Sequence, residues 1–174
     1  MSDMADRPSP VLENLLFVVI VPGTVAVLIP AAITQWEATA WGPWPLVVAI
    51  SAGLMVAGAG ILLHAVWHFA VEGRGTPSPT APTERLVVSG AYRHVRNPMY
   101  IAVGSLIVGQ ALLCPSLGIA LYLLLFAVAV TAFVRFYEEP TLRATHGASY
   151  ERYQEEVPRW VPRLRPWRGP AEPE

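Results

Sequence analysis

From Asn97 to Val134, 38 consecutive residues carry no formal charge. One straight helix of that length would run about 57 Å at 1.5 Å per residue, nearly twice the roughly 30 Å hydrocarbon core of a bilayer. Cys114-Pro115-Ser116 interrupts the run, so it is expected to fold back as a hairpin of two apolar helices, about 99–113 and 117–137. A second uncharged run of 23 residues lies between Glu13 and Glu37, about the length of one crossing. Pro22 and Pro30 predict kinks there, which membrane helices tolerate when neighbours satisfy the freed carbonyls. A further apolar segment, about 44–71, lies between Glu37 and Glu72, and Trp36, Trp41 and Trp44 precede it like an interfacial aromatic belt.

Composition agrees with an apolar solvent. Hydrophobic residues make up 53% of the chain, only 14% are charged and mean hydropathy is +0.42, against about 25% charged in soluble domains. The fold expected is an all-α integral membrane bundle of about four transmembrane helices (14–36, 44–71, 99–113 and 117–137). A cytoplasmic loop (72–98) and a tail (138–174) with an amphipathic helix complete one domain over 1–174. The third span is short enough to be re-entrant. No cleavable signal peptide is evident, because the first ten residues are acidic rather than basic. The lone Cys114 excludes an internal disulfide and reads as a structural thiol.

Charge orients the bundle. All twelve basic residues are Arg, consistent with a GC-rich coding bias, and net charge is −1, which gives no argument for nucleic acid. With four spans, eleven of the Arg fall on the side of the termini, and the two opposite turns have none. The positive-inside rule therefore predicts cytoplasmic termini, in a bacterial inner membrane.

Two cytoplasmic segments concentrate chemistry. Gly90-Ala-Tyr-Arg-His-Val-Arg-Asn-Pro-Met-Tyr100 sets Arg93, His94 and Arg96 against a helix start, with Asn97 as a plausible cap and Pro98 in the first turn. Such a start can seat a carboxylate or phosphate, or the same cluster can touch anionic lipid head groups. At the end of the fourth span, Glu138 and Glu139 repel one another and sit unfavourably for a helix C-terminus. They call for a cation, either a protein Arg or a ligand ammonium or sulfonium. In the tail, Leu142, Tyr150, Tyr153 and Val157 recur at helical spacing, predicting an amphipathic helix over 140–157 whose aromatics pack inward while it lies on the membrane or closes over the site. The Pro/Arg-rich 158–174 reads as an irregular strap with a disordered tip. His64 and His68 lie one helical turn apart, but no third metal ligand accompanies them, and no metal is expected. Gly53, Gly58 and Gly60 suit close helix packing, and Gly58-Ala-Gly60 could also admit a cofactor to the backbone.

Gly90-Ala-Tyr92, Arg96-Asn97-Pro98-Met-Tyr100, Glu138-Glu139 and Gly147-Ala-Ser-Tyr150-Glu-Arg-Tyr153 together resemble the isoprenylcysteine carboxyl methyltransferase and phospholipid N-methyltransferase superfamily. No one of these motifs is specific; their order and separations, over roughly 72–166, carry the resemblance. It implies an S-adenosylmethionine-dependent methyltransferase acting on a lipidic or lipid-anchored acceptor, including carboxyl O-methylation. It places Tyr92, His94, Asn97, Pro98, Tyr100 and Glu138, with Gly58 and Gly60, around the cofactor, and gives Arg96 and Glu139 catalytic roles. Arg93 or Arg96 would position a substrate carboxylate. Many relatives have His where this chain has Asn97, and Asn cannot take up a proton, so that position is not expected to be a general base. Expected partners are membrane lipids and a hydrophobic or lipid-anchored small molecule. The alternatives are a membrane reductase of the sterol-reductase type, using a nicotinamide cofactor, and a non-catalytic small membrane protein. The acceptor and the oligomeric state are not legible in the sequence.

Overall fold

A computed structural model describes residues 20–37, 44–72, 86 and 88–169. Among them every regular element is helical. Helix α1 covers Ile20–Thr34, α2 Pro45–Glu72, α3 Pro98–Leu113, α4 Leu117–His146 and α5 Ala148–Glu156, with a 3₁₀ turn at Gly90–Arg93 before α3. The signal-peptide reading, most of the loop 72–98, and the tip beyond Gly169 lie outside the described residues.

Two helices are long and apolar enough to cross a membrane, Pro45–Ala65 within α2 and Leu117–His146. Only 17% and 11% of their most apolar windows are buried inside the protein. Leu46, Val56, Leu63, Leu121, Leu124 and Leu125 are all exposed, a belt that water would not tolerate and hydrocarbon solvates. Helices α1 and α3 are shorter; sixteen residues of α3 span roughly 24 Å. The described residues thus form an all-helical membrane bundle.

Successive helices run in opposite directions and pack around Ala26, Leu62, Ala102, Val103, Ile107 and Ile119. The closest approach joins α2 to α3. A Cβ on Gly58 would lie 2.8 Å from the Ala102 carbonyl, and one on Gly109 would lie 2.6 Å from Met55. Small residues here let two backbones meet, the usual device where lipid supplies no hydrophobic drive. At the far end Ser116 caps α4 by accepting from the Ile119 N–H, so the Cys-Pro-Ser turn forms where the sequence predicts it.

Proline shapes α1 through hydrogen bonds rather than a simple kink. The Ile29 N–H bonds to Thr24 O, making Thr24–Leu28 a π turn and leaving the Val25 carbonyl without its helical donor. Pro30 has no N–H for the Ala26 carbonyl. Both orphaned oxygens are taken by side chains: Tyr122 donates its hydroxyl to Val25 O at 2.6 Å, and Gln110 Nε2 donates to Ala26 O at 2.6 Å. These two bonds tie α1 to α4 and α3.

A second π turn, Val134–Glu138, changes the expected end of the last span. The Glu139 N–H reaches back to Val134 O, and the widened turn absorbs Pro140, so the helix continues to His146 instead of stopping at Tyr137. The single amphipathic helix expected over 140–157 is therefore two pieces. Gly147, at φ +52°, ends α4 in a conformation that side chains resist, and α5 starts in a new direction. Tyr150, Tyr153 and Val157 do face inward, packed with Trp167, Leu142, Leu86 and Val88.

Replacing Gln110 with Leu should leave the Ala26 carbonyl unsatisfied in an apolar core and destabilise the bundle by about 1 kcal/mol. A lowered unfolding midpoint in detergent, with helix content retained, is the expected readout.

Candidate active site

Three segments meet at the end of the bundle that carries α5. The first is the loop 88–97, held by Gly90 at φ +53° over the His64–His68 pair; a Cβ there would lie 2.6 Å from His64 Nε2 and 2.8 Å from His68 Nε2. Ser89 Oγ pairs with His68 Nδ1 at 2.9 Å. The histidines thus form a seat for the loop. Among the described residues no three His, Cys, Asp or Glu come together to share a metal ion.

The second segment is the strap 158–169, irregular but latched along the loop in antiparallel order. Arg96 N–H donates to Pro158 O, Arg163 N–H to His94 O and Trp167 N–H to Arg93 O, at 3.0, 2.9 and 2.8 Å. Side chains add to this. His94 Nδ1 pairs with the Arg163 carbonyl at 2.8 Å, Asn97 Nδ2 donates to Arg159 O at 3.2 Å, and Arg93 Nε donates to Trp167 O. From α5, the Tyr153 hydroxyl donates to Tyr92 O at 2.7 Å.

The third is the π turn and Glu138-Glu139, which point to different tasks. Glu139 is buried and accepts both Arg159 Nε (2.8 Å) and Nη2 (2.7 Å) in a bidentate pair. Gln154 Nε2 adds a 3.3 Å bond. Arg96 Nη1 lies 2.9 Å from Glu139 Oε1, close enough for a strong charge pair. Its Nε is buried with no hydrogen-bond acceptor among the described residues. Glu138 instead accepts the Tyr100 hydroxyl at 2.9 Å.

Between these segments and the helices lies a cavity of about 360 Å³, within the usual range for small-molecule sites. Tyr92, Arg96, Asn97, Tyr100 and Glu138 line its polar end, and Val21, Val25, Leu62, Val103, Phe126 and Val130 its apolar depth. Burial pushes the Tyr92 hydroxyl well above the ordinary phenol range, and the nearby Glu138 charge pushes it further. Burial likewise raises Tyr153, against the opposing pull of Arg96. Both stay protonated donors.

The structure thus brings five of the sequence-predicted residues, Tyr92, Arg96, Asn97, Tyr100 and Glu138, to one cavity. His94 turns away to the strap, and Pro98 sits at the first turn of α3, outside the wall. Asn97 occupies the N-cap position but makes no side-chain cap; its amide is committed to the strap. Gly58 is consumed by packing on α3, Gly60 has nothing within 4 Å of a Cβ, and neither lines the cavity. Residues two apart on a helix face directions about 200° apart, so one cofactor could not rest on both. Arg93 is engaged with Trp167 rather than poised for a substrate. Arg159 and Gln154 escape sequence reading, since only the fold brings them beside Glu139.

The sequence profile of the phospholipid methyltransferase family matches residues 46–149. The chain belongs to this family. The match covers α2, the loop, α3, the hairpin and Glu138-Glu139, and stops inside the Gly147–Tyr153 motif. The isoprenylcysteine carboxyl methyltransferase resemblance falls in the same superfamily. Comparison with curated proteins and with solved structures gives no match. The strap, which supplies Arg159, and α5 after Ser149 lie beyond the matched region.

Glu139→Gln should strand the near-buried Arg96 guanidinium and release the partly exposed Arg159, at a cost of about 3 kcal/mol. Faster hydrogen exchange at the Arg163 and Trp167 amides is the expected sign of a released strap. Glu138→Gln should leave those amides protected.

Proposed function

We propose that this protein is an integral membrane S-adenosylmethionine-dependent methyltransferase whose acceptor is a lipidic or lipid-anchored molecule. In this reading α1 to α4 each cross the bilayer, both termini and the cavity face the cytoplasm, and the protein resides in a bacterial inner membrane. The eleven-to-zero partition of Arg supports that orientation.

The observation that carries the reading is Arg96. Arg96 lines the polar end of the cavity, Glu139 anchors its charge from behind, and its buried Nε has no acceptor among the described residues, so the guanidinium keeps capacity for a ligand anion. Across the same polar end stands Glu138, an anion whose protein donor is the Tyr100 hydroxyl. A cation and an anion at one end of a largely apolar cavity match an α-amino acid zwitterion, the end group of S-adenosylmethionine. Arg96 would hold the carboxylate and Glu138 the ammonium. Tyr92 and Asn97 complete the polar wall.

When bound, S-adenosylmethionine supplies an electrophilic methyl group; the S–CH3 bond breaks as the acceptor–CH3 bond forms, and its electron pair returns to sulfur. The residues here align and desolvate rather than attack, the terms that matter most for such a displacement. Arg96 acts as a binding and orienting group, and Glu139 acts through it as a positioning residue. Of the polar wall residues Glu138 is the one carboxylate, and Asn97 has no capacity to take up a proton. With Glu138 paired to the donor's ammonium, an acceptor that arrives already deprotonated, such as a carboxylate, suits the site.

Calorimetric titration of the purified full chain with S-adenosylhomocysteine should give saturable binding. Arg96→Ala and Glu138→Ala should each lose about tenfold to a hundredfold in affinity, as removal of a charge-assisted bond worth roughly 1.5–3 kcal/mol implies. No binding by the wild type, with or without added lipid extract, sinks the reading, and unchanged affinity in both variants misplaces the site.

A further inference from the structure

The loop 88–97 crosses the end of the bundle at the depth where the apolar helices stop. At one end Asn97 leads into α3 at Pro98. At the other Gly90 lies over the His64 ring, beside the point where the apolar span of α2 ends at Ala65. The strap takes the same course, because its backbone bonds tie Pro158 to Arg96, Arg163 to His94 and Trp167 to Arg93. It is therefore laid across the bundle at the membrane boundary rather than leaving it. Trp160 fixes the depth independently, since it shares a surface depression with Tyr100 and Ile101 of α3 and Thr131 of α4. An apolar ring with one N–H is favoured at that level.

The two sides of the strap differ. On the inner side Arg159 is spent on Glu139, and Trp167 packs on Tyr153 with ring centroids 5.3 Å apart. Arg163 turns to the Glu156 carbonyl at 2.7 Å. The outer side carries Val161, Leu164, Arg165 and Arg168. Leu164 is 97% exposed and Val161 75%, the former more than any other large hydrophobic among the described residues. Arg165 and Arg168 are also exposed, and neither has an ion pair or a side-chain hydrogen bond among the described residues. From Pro158 to Gly169 there are four Arg and no acidic residue; the exposed acids Glu151 and Glu155 of α5 gather on a separate patch with Arg143.

We infer that the outer side of the strap docks on the anionic lipid head groups of the surrounding bilayer, and that this docking steadies the donor site through Arg159. Val161 and Leu164 enter the head-group layer, and Arg165 and Arg168 meet lipid phosphates. Apolar side chains flanked by free guanidinium groups, at the depth of the membrane boundary, match a surface that is anionic outside and apolar just beneath. A free phosphate would use the two Arg but leave Val161 and Leu164 in water. Pro158, Pro162 and Pro166 recur at every fourth position and fix φ along the segment, so a strap held on its outer side is held on its inner side too, where Arg159 grips Glu139. Docking stands on the strap itself; only its effect on the donor rests on the methyltransferase reading.

The inference is tested with the full chain in nanodiscs of phosphatidylcholine alone and of phosphatidylcholine with phosphatidylglycerol. Hydrogen exchange at the Arg163 and Trp167 amides should be several-fold slower when phosphatidylglycerol is present, and added salt should reduce that difference. The double variant Arg165→Gln, Arg168→Gln removes no contact within the fold, so it should exchange as the wild type does in phosphatidylcholine and lose the response to phosphatidylglycerol. Leu164→Asn should exchange faster than the wild type in both membranes. S-adenosylhomocysteine affinity should rise several-fold with phosphatidylglycerol in the wild type and stay flat in the double variant. Equal exchange in the two membranes, as cover by another stretch of this chain or by a second copy would give, overturns the inference. A phosphatidylglycerol response that persists in the double variant overturns it as well. Failure of the wild type to bind S-adenosylhomocysteine in either membrane counts against the methyltransferase reading instead, and the exchange pattern still decides whether the strap docks on anionic lipid.

Discussion

The carboxylate of Glu139 is the point on which this end of the molecule depends. It belongs to α4, and it gathers Arg96 from the loop and Arg159 from the strap within 2.7–2.9 Å. Three segments far apart in sequence are thereby fixed to one another at a buried site. Buried ion pairs give little net stability, since desolvation offsets the Coulomb gain. Their value lies in specificity of arrangement, and here the arrangement is that of Arg96. With Arg159 held in a bidentate pair and Arg96 at 2.9 Å, the Arg96 Nε is left without an acceptor among the described residues.

Proline and π turns set the stage for that clamp. In α1 the π turn and Pro30 free two carbonyls, and Tyr122 and Gln110 convert those losses into interhelical bonds. In α4 the π turn before Pro140 lets the helix run past the end of the apolar segment, so Glu138 and Glu139 are carried on a rigid element rather than a loop. One then faces the cavity beside Tyr100 and the other faces the strap. Adjacent acids that would repel in isolation are separated by function as well as by direction.

Much of this was legible in the chain. The uncharged runs fix the apolar helices because charge in hydrocarbon is costly. Pro98 marks the start of α3 because a helix N-terminus does not miss its N–H. Gly90 and Gly147 stand in the motifs that carry the family resemblance, and Tyr150 and Tyr153 mark an inward face. Other features were not legible, for physical reasons. The continuation of α4 through Pro140 depends on a one-residue change of hydrogen-bond register that leaves no compositional trace. The strap pairs through backbone groups of an irregular segment, so no periodicity announces it. Arg159 resembles any other Arg of a basic tail until the fold sets it beside Glu139. Gly58 and Gly60 look equivalent in sequence, and only the helix rotation separates a packing contact from an open surface.

The central claim is that the strap, although outside the family-matched region, builds the donor site through Arg159, Glu139 and Arg96. The most direct measurement is the affinity of Arg159→Gln and Arg159→Lys for S-adenosylhomocysteine by titration calorimetry. The account predicts at least a tenfold loss for Arg159→Gln and a partial recovery for Arg159→Lys, which restores charge without the bidentate fork. Wild-type affinity in Arg159→Gln would contradict it.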